Sequence, residues 1–205
     1  MDFSTDEHDA ITELVNITMG RAAASLNDLL QATIHLSVPT VELTEPSEFS
    51  VALSNLQNDE FACVCQDFDD NLAGTAALIL PPDSALKLIE VLVGDQYTPE
   101  SLDSIRVGTL NEIGNIVINA LMGVLANLLD QPLRFSLPYF AEGNPSKVLG
   151  LEPANSANTE TAMLLIRTNF TVDAFKTCGS LLVIFRMGGL KRILAKATGI
   201  YDRLE

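Results

Sequence analysis

Ala10–Pro39, AITELVNITMGRAAASLNDLLQATIHLSVP, and Thr109–Pro138, TLNEIGNIVINALMGVLANLLDQPLRFSLP, lie on one another without a gap at a shift of 99 residues. Eight of thirty positions are identical: Glu13 with Glu112, Asn16 with Asn115, Ile17 with Ile116, then three leucines, a serine and a proline. Eight of the other twenty-two exchange one apolar residue for another, as Leu14 with Ile113. Self-similarity of this kind marks an internal duplication. A second block, Gly74–Gly94 (GTAALILPPDSALKLIEVLVG), lies on Gly179–Gly199 (GSLLVIFRMGGLKRILAKATG) at a shift of 105. The six extra residues fall between the blocks, and Glu142–Glu160, with Gly143, Pro145, Gly150 and Pro153, has the composition of a loop that holds them.

Each half reads as a long helix, three strand-like segments and a shorter helix. Ser4-Thr-Asp-Glu7 is a capping-box pattern that opens the first long helix. Thr98-Pro99 opens the second, with proline at the first helical position. Ile34–Val38 and Leu133–Leu137 follow as short strands ended by Pro39 and Pro138. Phe61–Phe68 with Gly74–Leu80, and Thr161–Phe170 with Leu181–Arg186, have the pattern of antiparallel pairs. The shorter helices are expected at about Ser84–Val93 and Leu190–Thr198, each stopped by glycine. The fold class expected is α/β (α+β), a duplicated helix-strand-strand-strand-helix unit with pseudo-twofold symmetry and a shared antiparallel sheet. One domain over 1–205, with repeats at about 4–94 and 98–199, is expected because Gly94–Glu100 has the look of a turn rather than a linker.

Composition narrows the function classes. Apolar residues make up 47% of the 205 and charged residues 19%, too few charges for a disordered chain. A formal net charge of −15 argues against nucleic acid or an anionic membrane as partner, since both call for a basic face. Cys63, Cys65 and Cys178 are odd in number and form no Cys-x-x-Cys, so neither a disulfide framework nor a zinc site is expected. Cys63 and Cys65, two apart in an apolar run, are expected as core filler on one face of a strand. His8 and His35 have no second ligand at useful spacing, and no metal site is expected. The start Met1-Asp-Phe-Ser-Thr-Asp-Glu has no signal-peptide character, and Ile116–Leu129 is read as too short to span a bilayer; a cytoplasmic location is expected.

Glu13 and Asn16 are i and i+3 on a helix and share a face, with Asp9 four residues earlier. Glu112 and Asn115 repeat the arrangement, with Gly108 at the position of Asp9. Glu-x-x-Asn alone is a weak signal, satisfied by any solvent stripe. Its recurrence at one register, with 22 residues and then proline in each copy, raises it, because Glu and Asn are poor packing residues.

Asp9-x3-Glu13-x2-Asn16-x22-Pro39 and Glu112-x2-Asn115-x22-Pro138 resemble the signature of the CheC-type phosphatases of bacterial chemotaxis, the CheC/CheX/FliY family. The resemblance covers nearly the whole chain, and two motifs without an added switch domain put it nearest the CheC members. Each copy departs once: Val15 stands where the family often has Gly before the Asn, and Gly108 where Asp or Ser is usual. The resemblance implies hydrolysis of the aspartyl phosphate of a CheY-like response regulator, with the deamidase CheD as a further possible partner. It assigns catalysis to Glu13, Asn16, Glu112 and Asn115, and partner contact to Asp9. Asp9 is read equally as a cap of the first turn. An Asn amide both donates and accepts, so it can hold a water without ionising; a Glu one turn away can pair with a lysine of the partner. No cofactor of its own is expected; Mg²⁺ belongs to the partner's site. A non-catalytic adaptor binding a response regulator or CheD is the alternative, and a structural part of the flagellar switch a third.

Overall fold

The computed structural model describes residues 4–30, 32–45, 48, 60–70, 72–93, 102–130, 132–151, 163–186 and 199. In chain order these give α1 (Thr5–Leu30), β1 (Ile34–Leu36), β2 (Thr40–Thr44), β3 (Phe61–Asp70), β4 (Gly74–Leu80) and α2 (Pro82–Val93). The second half gives α3 (Leu102–Leu129), β5 (Leu133–Phe135), β6 (Tyr139–Gly143), the single turn α4 (Pro145–Val148), β7 (Met163–Val172) and β8 (Thr177–Arg186). The expected helix at Leu190–Thr198, the Thr98-Pro99 start and the Gly94 stop lie outside the described residues.

The capping box forms as its pattern predicts: Ser4 N donates to Glu7 Oε2 at 2.9 Å, and Glu7 N to Ser4 Oγ at 3.3 Å. At the far end of α1, Asn27 Oδ1 accepts from Ile34 N at 2.7 Å and fixes the turn into β1. The expected strand ends at Pro39 and Pro138 need correction. The chain breaks for three residues and then resumes pairing as β2 and β6, so among the described residues each half contributes four strands rather than three. A proline cannot donate to a ladder, but at the sheet edge it only interrupts one. The break is clamped alike in both halves: Ser37 N donates to Asn169 O at 2.8 Å while Asn169 N donates to Ser37 Oγ at 2.9 Å, and Ser136 does the same with Asp67 at 2.9 and 3.1 Å.

All eight strands join one antiparallel sheet, in the order β1-β7-β8-β4-β3-β5, with β2 beside β7 and β6 beside β3. The expected hairpins β3–β4 and β7–β8 are present, and β4 pairs with β8 to make the sheet continuous across the halves. In that central ladder Ala77 pairs with Leu182, its own counterpart in the repeat, so the pseudo-twofold axis passes there. The halves also exchange strands: β1 and β2 pair on β7 of the second half, β5 and β6 on β3 of the first. The shared antiparallel sheet of a mixed helix-and-strand fold is as expected.

One face of the sheet carries the main core. Ile11, Leu14 and Met19 of α1, Leu88 and Ile89 of α2, and Ile113, Ile118 and Met122 of α3 pack there on Val64, Leu78, Ile166 and Val183. On the other face Cys63, Cys65, Ala77, Leu165, Leu182 and Ile184 cluster under Val148, Leu149 and Leu151. Both cysteines are free and share that face, as expected of core filler. Burial pushes both thiols up to about 12 from 9.0; Tyr139, hydrogen-bonded to Cys65, partly opposes this there. The apolar run on α3 is longer than its sequence reading allowed. Ser104–Leu129 spans 26 residues and holds an 18-residue stretch of mean hydropathy 1.5, long and apolar enough by length and composition to cross a membrane. In the fold one stripe of it is buried against the core, with Leu110, Val117, Leu121, Leu125 and Leu129 enclosed.

Candidate functional site

Both polar pairs stand on the long helices, outside the stripes that face the sheet. At ~100° per residue, the buried side chains of α1 (Ala10, Ile11, Leu14, Val15, Thr18, Met19, Ala22 and Leu26) cover one side of the cylinder. Asp9, Glu13 and Asn16 fall together on the opposite side; Asp9 is exposed and the other two half-buried. On α3 the same construction puts Glu112, exposed, opposite the stripe of Leu110, Ile113, Val117, Leu121 and Leu125, and Asn115, half-buried, at the flank of the buried side beside Ile118 and Met122. Among the described residues, the side chains of Glu13, Asn16 and Glu112 make no hydrogen bond or ion pair, and Asn115 Oδ1 accepts from Asn119 Nδ2 at 2.8 Å. Asp9 lies 3.8 Å from His8 Nδ1. The first turn is capped by Ser4 and Glu7, so the capping role considered for Asp9 is already filled.

Local packing explains why the two helices differ beside their Asn residues. A Cβ built on Gly114 would stand 2.3 Å from Val64 Cγ1, so α3 is seated on β3 through a glycine. Val15, at the equivalent position of α1, is itself buried in the core. The departure at residue 15 is therefore a packing difference under the helix, on the side away from Glu13 and Asn16. Gly108, by contrast, has open space around it and could accept a side chain.

Sequence reasoning missed two features of this surface. One is Asn119. The other is a matched pair of polar atoms, Thr12 Oγ1 and Asn111 Oδ1, equivalent in the repeat and each preceding a Glu; both are buried without a hydrogen-bond partner among the described residues. The recurrence of polar residues at 12 and 111 was visible in the alignment of the halves, but not that their oxygens are enclosed. Two cavities can be compared with the polar pairs. One, of about 420 Å³, is lined by Asp67, Phe68, Arg134, Ser136 and Arg186 among others, and a small apolar one is lined by Leu26, Leu78, Ile113 and Phe170 among others. Neither is lined by Glu13, Asn16, Glu112 or Asn115. Among the described residues no group of three or more His, Cys, Asp and Glu side chains could hold a metal ion.

Residues 7–43, which carry the first polar pair and run from α1 into β2, match the model of the CheC-like family. Over this segment the chain is similar to that family. Among curated relatives it is 27% identical over 136 residues to the CheY-P phosphatase CheC of Bacillus subtilis, covering 65% of each chain. It is 22% identical over 139 residues to the flagellar motor switch phosphatase FliY of the same organism, 67% of this chain and 36% of that protein. The matches thus span less than two thirds of either relative. The crystal structure of Thermotoga maritima FliY superposes with a TM-score of 0.71, at 22% identity, covering 97% of this chain and 99% of that one. A chain of the H. pylori FliM–SpeE complex gives 0.65 at 10% identity, covering 95% and 96%. A chain of the Borrelia burgdorferi CheX–CheY–BeF3–Mg²⁺ complex gives 0.52 at 16% identity, covering 84% and 98%. These likenesses establish the fold, which the chain shares with the FliY, FliM and CheX chains.

Proposed function

We propose that this chain hydrolyses the aspartyl phosphate of a CheY-like receiver domain, with Glu13 and Asn16 on α1 and Glu112 and Asn115 on α3 as its two sites. The observation that carries the reading is the duplicated Glu/Asn pair, held at one register of both long helices. The relatives support it: one is named a CheY-P phosphatase and another a flagellar motor switch phosphatase, and a structural neighbour was solved in a complex with CheY.

The chemistry asks little of this chain. Phosphoryl transfer is mostly positioning plus electrostatic stabilisation, and a receiver domain brings Mg²⁺ and a lysine to its own phosphoryl group. A water oxygen attacks phosphorus in line as the bond to the aspartyl oxygen breaks. The products are an aspartate carboxylate and inorganic phosphate, and the water's proton leaves with phosphate or solvent. The Asn amide holds that water through its donor and acceptor atoms. The Glu one turn before it pairs with a cation of the partner and sets the register of the helix against it. Asp9 adds a second acidic contact at the first site. The reading includes a cytoplasmic location, no metal of the chain's own, and CheD as a further possible partner.

A receiver domain phosphorylated with a small phosphodonor tests the proposal. In Mg²⁺ its decay should quicken when the protein is present in sub-stoichiometric amount, and chelation of Mg²⁺ should remove the effect. An unchanged decay rate, with binding intact, would leave the adaptor reading in its place.

A further inference from the structure

Asn119 follows Asn115 by four residues on α3, one turn along the same face, and its Nδ2 donates to Asn115 Oδ1 at 2.8 Å. That bond fixes which way the Asn115 amide points. One lone pair of Oδ1 is taken by Asn119, while the other lone pair and both N–H donors remain for an outside group. In the first half the equivalent position is Gly20, which has no side chain to offer Asn16. The duplication has therefore kept the polar pair twice and the hold on its amide once.

We propose that Asn119 is a positioning residue that sets the amide of Asn115 in the orientation needed to hold the attacking water. This rests on the reading of Asn115 as the water-holding group, and extends it to a residue outside the Glu/Asn pair. The polarity of the bond gives the proposal its sharpest consequence. Alanine at 119 frees the Asn115 amide to turn. Aspartate, which only accepts, draws the Asn115 NH₂ group toward itself and turns Oδ1 outward, the reverse of the native arrangement. Both changes are on an exposed helix position, where substitutions cost little stability.

The test uses the full chain in an Asn16→Ala background, so that only the second site contributes. Phosphorylated receiver decay is followed at saturating and limiting receiver. Asn119→Ala should lower the saturated rate by about fivefold, the worth of one ordinary hydrogen bond, with little change in the half-saturating concentration. Asn119→Asp should lower it further, and Asn119→Gln, which can still donate, should recover part of the loss. The side-chain amide NMR signals of Asn115 should shift in the Ala variant and shift differently in the Asp variant. The converse graft is open: a Cβ built on Gly20 meets nothing within 4 Å. In an Asn115→Ala background, Gly20→Asn should raise the first site's rate about fivefold above Gly20→Ala, which corrects for helix propensity. If the Asn16→Ala parent does not accelerate decay while Asn115→Ala does, the second site is inactive and the positioning role is overturned. If neither accelerates decay, the phosphatase reading fails and this inference with it. If the Asn16→Ala parent is active but the three Asn119 variants match it in rate and in Asn115 amide signals, this inference alone fails.

Discussion

Thr12 and Asn111 each bury a polar oxygen that finds no hydrogen-bond partner among the described residues, directly before Glu13 and Glu112. A group left in that state forfeits about 1–3 kcal/mol of solvation. Thr12→Val keeps the shape and removes the oxygen, so it should raise stability by about 1 kcal/mol and the thermal midpoint by about 2–4 °C. Calorimetry of the variant beside the parent checks this; a lowered midpoint would mean that Thr12 is hydrogen-bonded in solution. Cys63 and Cys65 carry a pH dependence. Burial raises both thiols from 9.0 to about 12, with the neighbouring Cys65 adding to the rise at Cys63 and Tyr139 opposing it at Cys65. Unfolded, they would lose protons near pH 9; folded, they hold them, so their contribution to stability is whole below pH 9 and declines from there toward pH 12. Urea unfolding at pH 7, 9 and 10.5 should show that decline, and a Cys63→Ala/Cys65→Ala variant, less stable at pH 7, should show a shallower one. The sequence already placed the two thiols on one face, because strand alternation needs only their spacing. It could not place the unpartnered oxygens, whose condition depends on atoms from distant segments.

At the scale of elements, α1 and α3 differ in how they meet the sheet. A methyl group on Gly114 would have to displace Val64, and the cost of such overpacking is about 1–3 kcal/mol, partly offset by about 1 kcal/mol of helix propensity. Gly114→Ala should therefore lose up to about 2 kcal/mol, and Val64→Ala in the same chain should recover part of that loss; a denaturant double-mutant cycle measures the coupling. Independent effects of the two changes would show that α3 is not held on β3 at this point. The long helices, the capping box at Ser4 and Glu7, and the two hairpins were legible because local periodicity and turn residues determine them. β2 and β6 were not. A proline followed by Thr-Val-Glu-Leu-Thr or Tyr-Phe-Ala-Glu-Gly reads as the end of a strand, and only the clamp of Ser37 on Asn169 and Ser136 on Asp67 shows that pairing resumes.

For the molecule as a whole, the exchange of strands between halves is what the repeat alone did not disclose. A self-alignment reports that two units are alike, not which unit pairs with which. Because β1 and β2 pair on β7, and β5 and β6 on β3, each half expressed alone lacks the partner of its own edge strands. Chains of 1–97 and 98–205 should not fold as monomers: each should be unfolded or pair with a second copy, and mixing them should restore cooperative unfolding. A cooperatively folded monomer of either half, seen by sedimentation and denaturation, would contradict this. The same symmetry sets both Glu/Asn pairs on equivalent helices of one sheet, which is why two sites, rather than one site built from two halves, are proposed. The polar pairs themselves were legible from recurrence; Asn119 was not, since it occurs in one copy only. The most direct measurement changes Asn16 and Asn115 together to Ala, keeping Glu13 and Glu112. Alanine is the better helix former, so the variant should be at least as helical as the parent. It should bind the phosphorylated receiver with at most modest weakening, while acceleration of phosphate loss falls to the receiver's own rate, because the water is held only on the way to the transition state. A double variant that binds and accelerates decay as well as the parent would contradict the account.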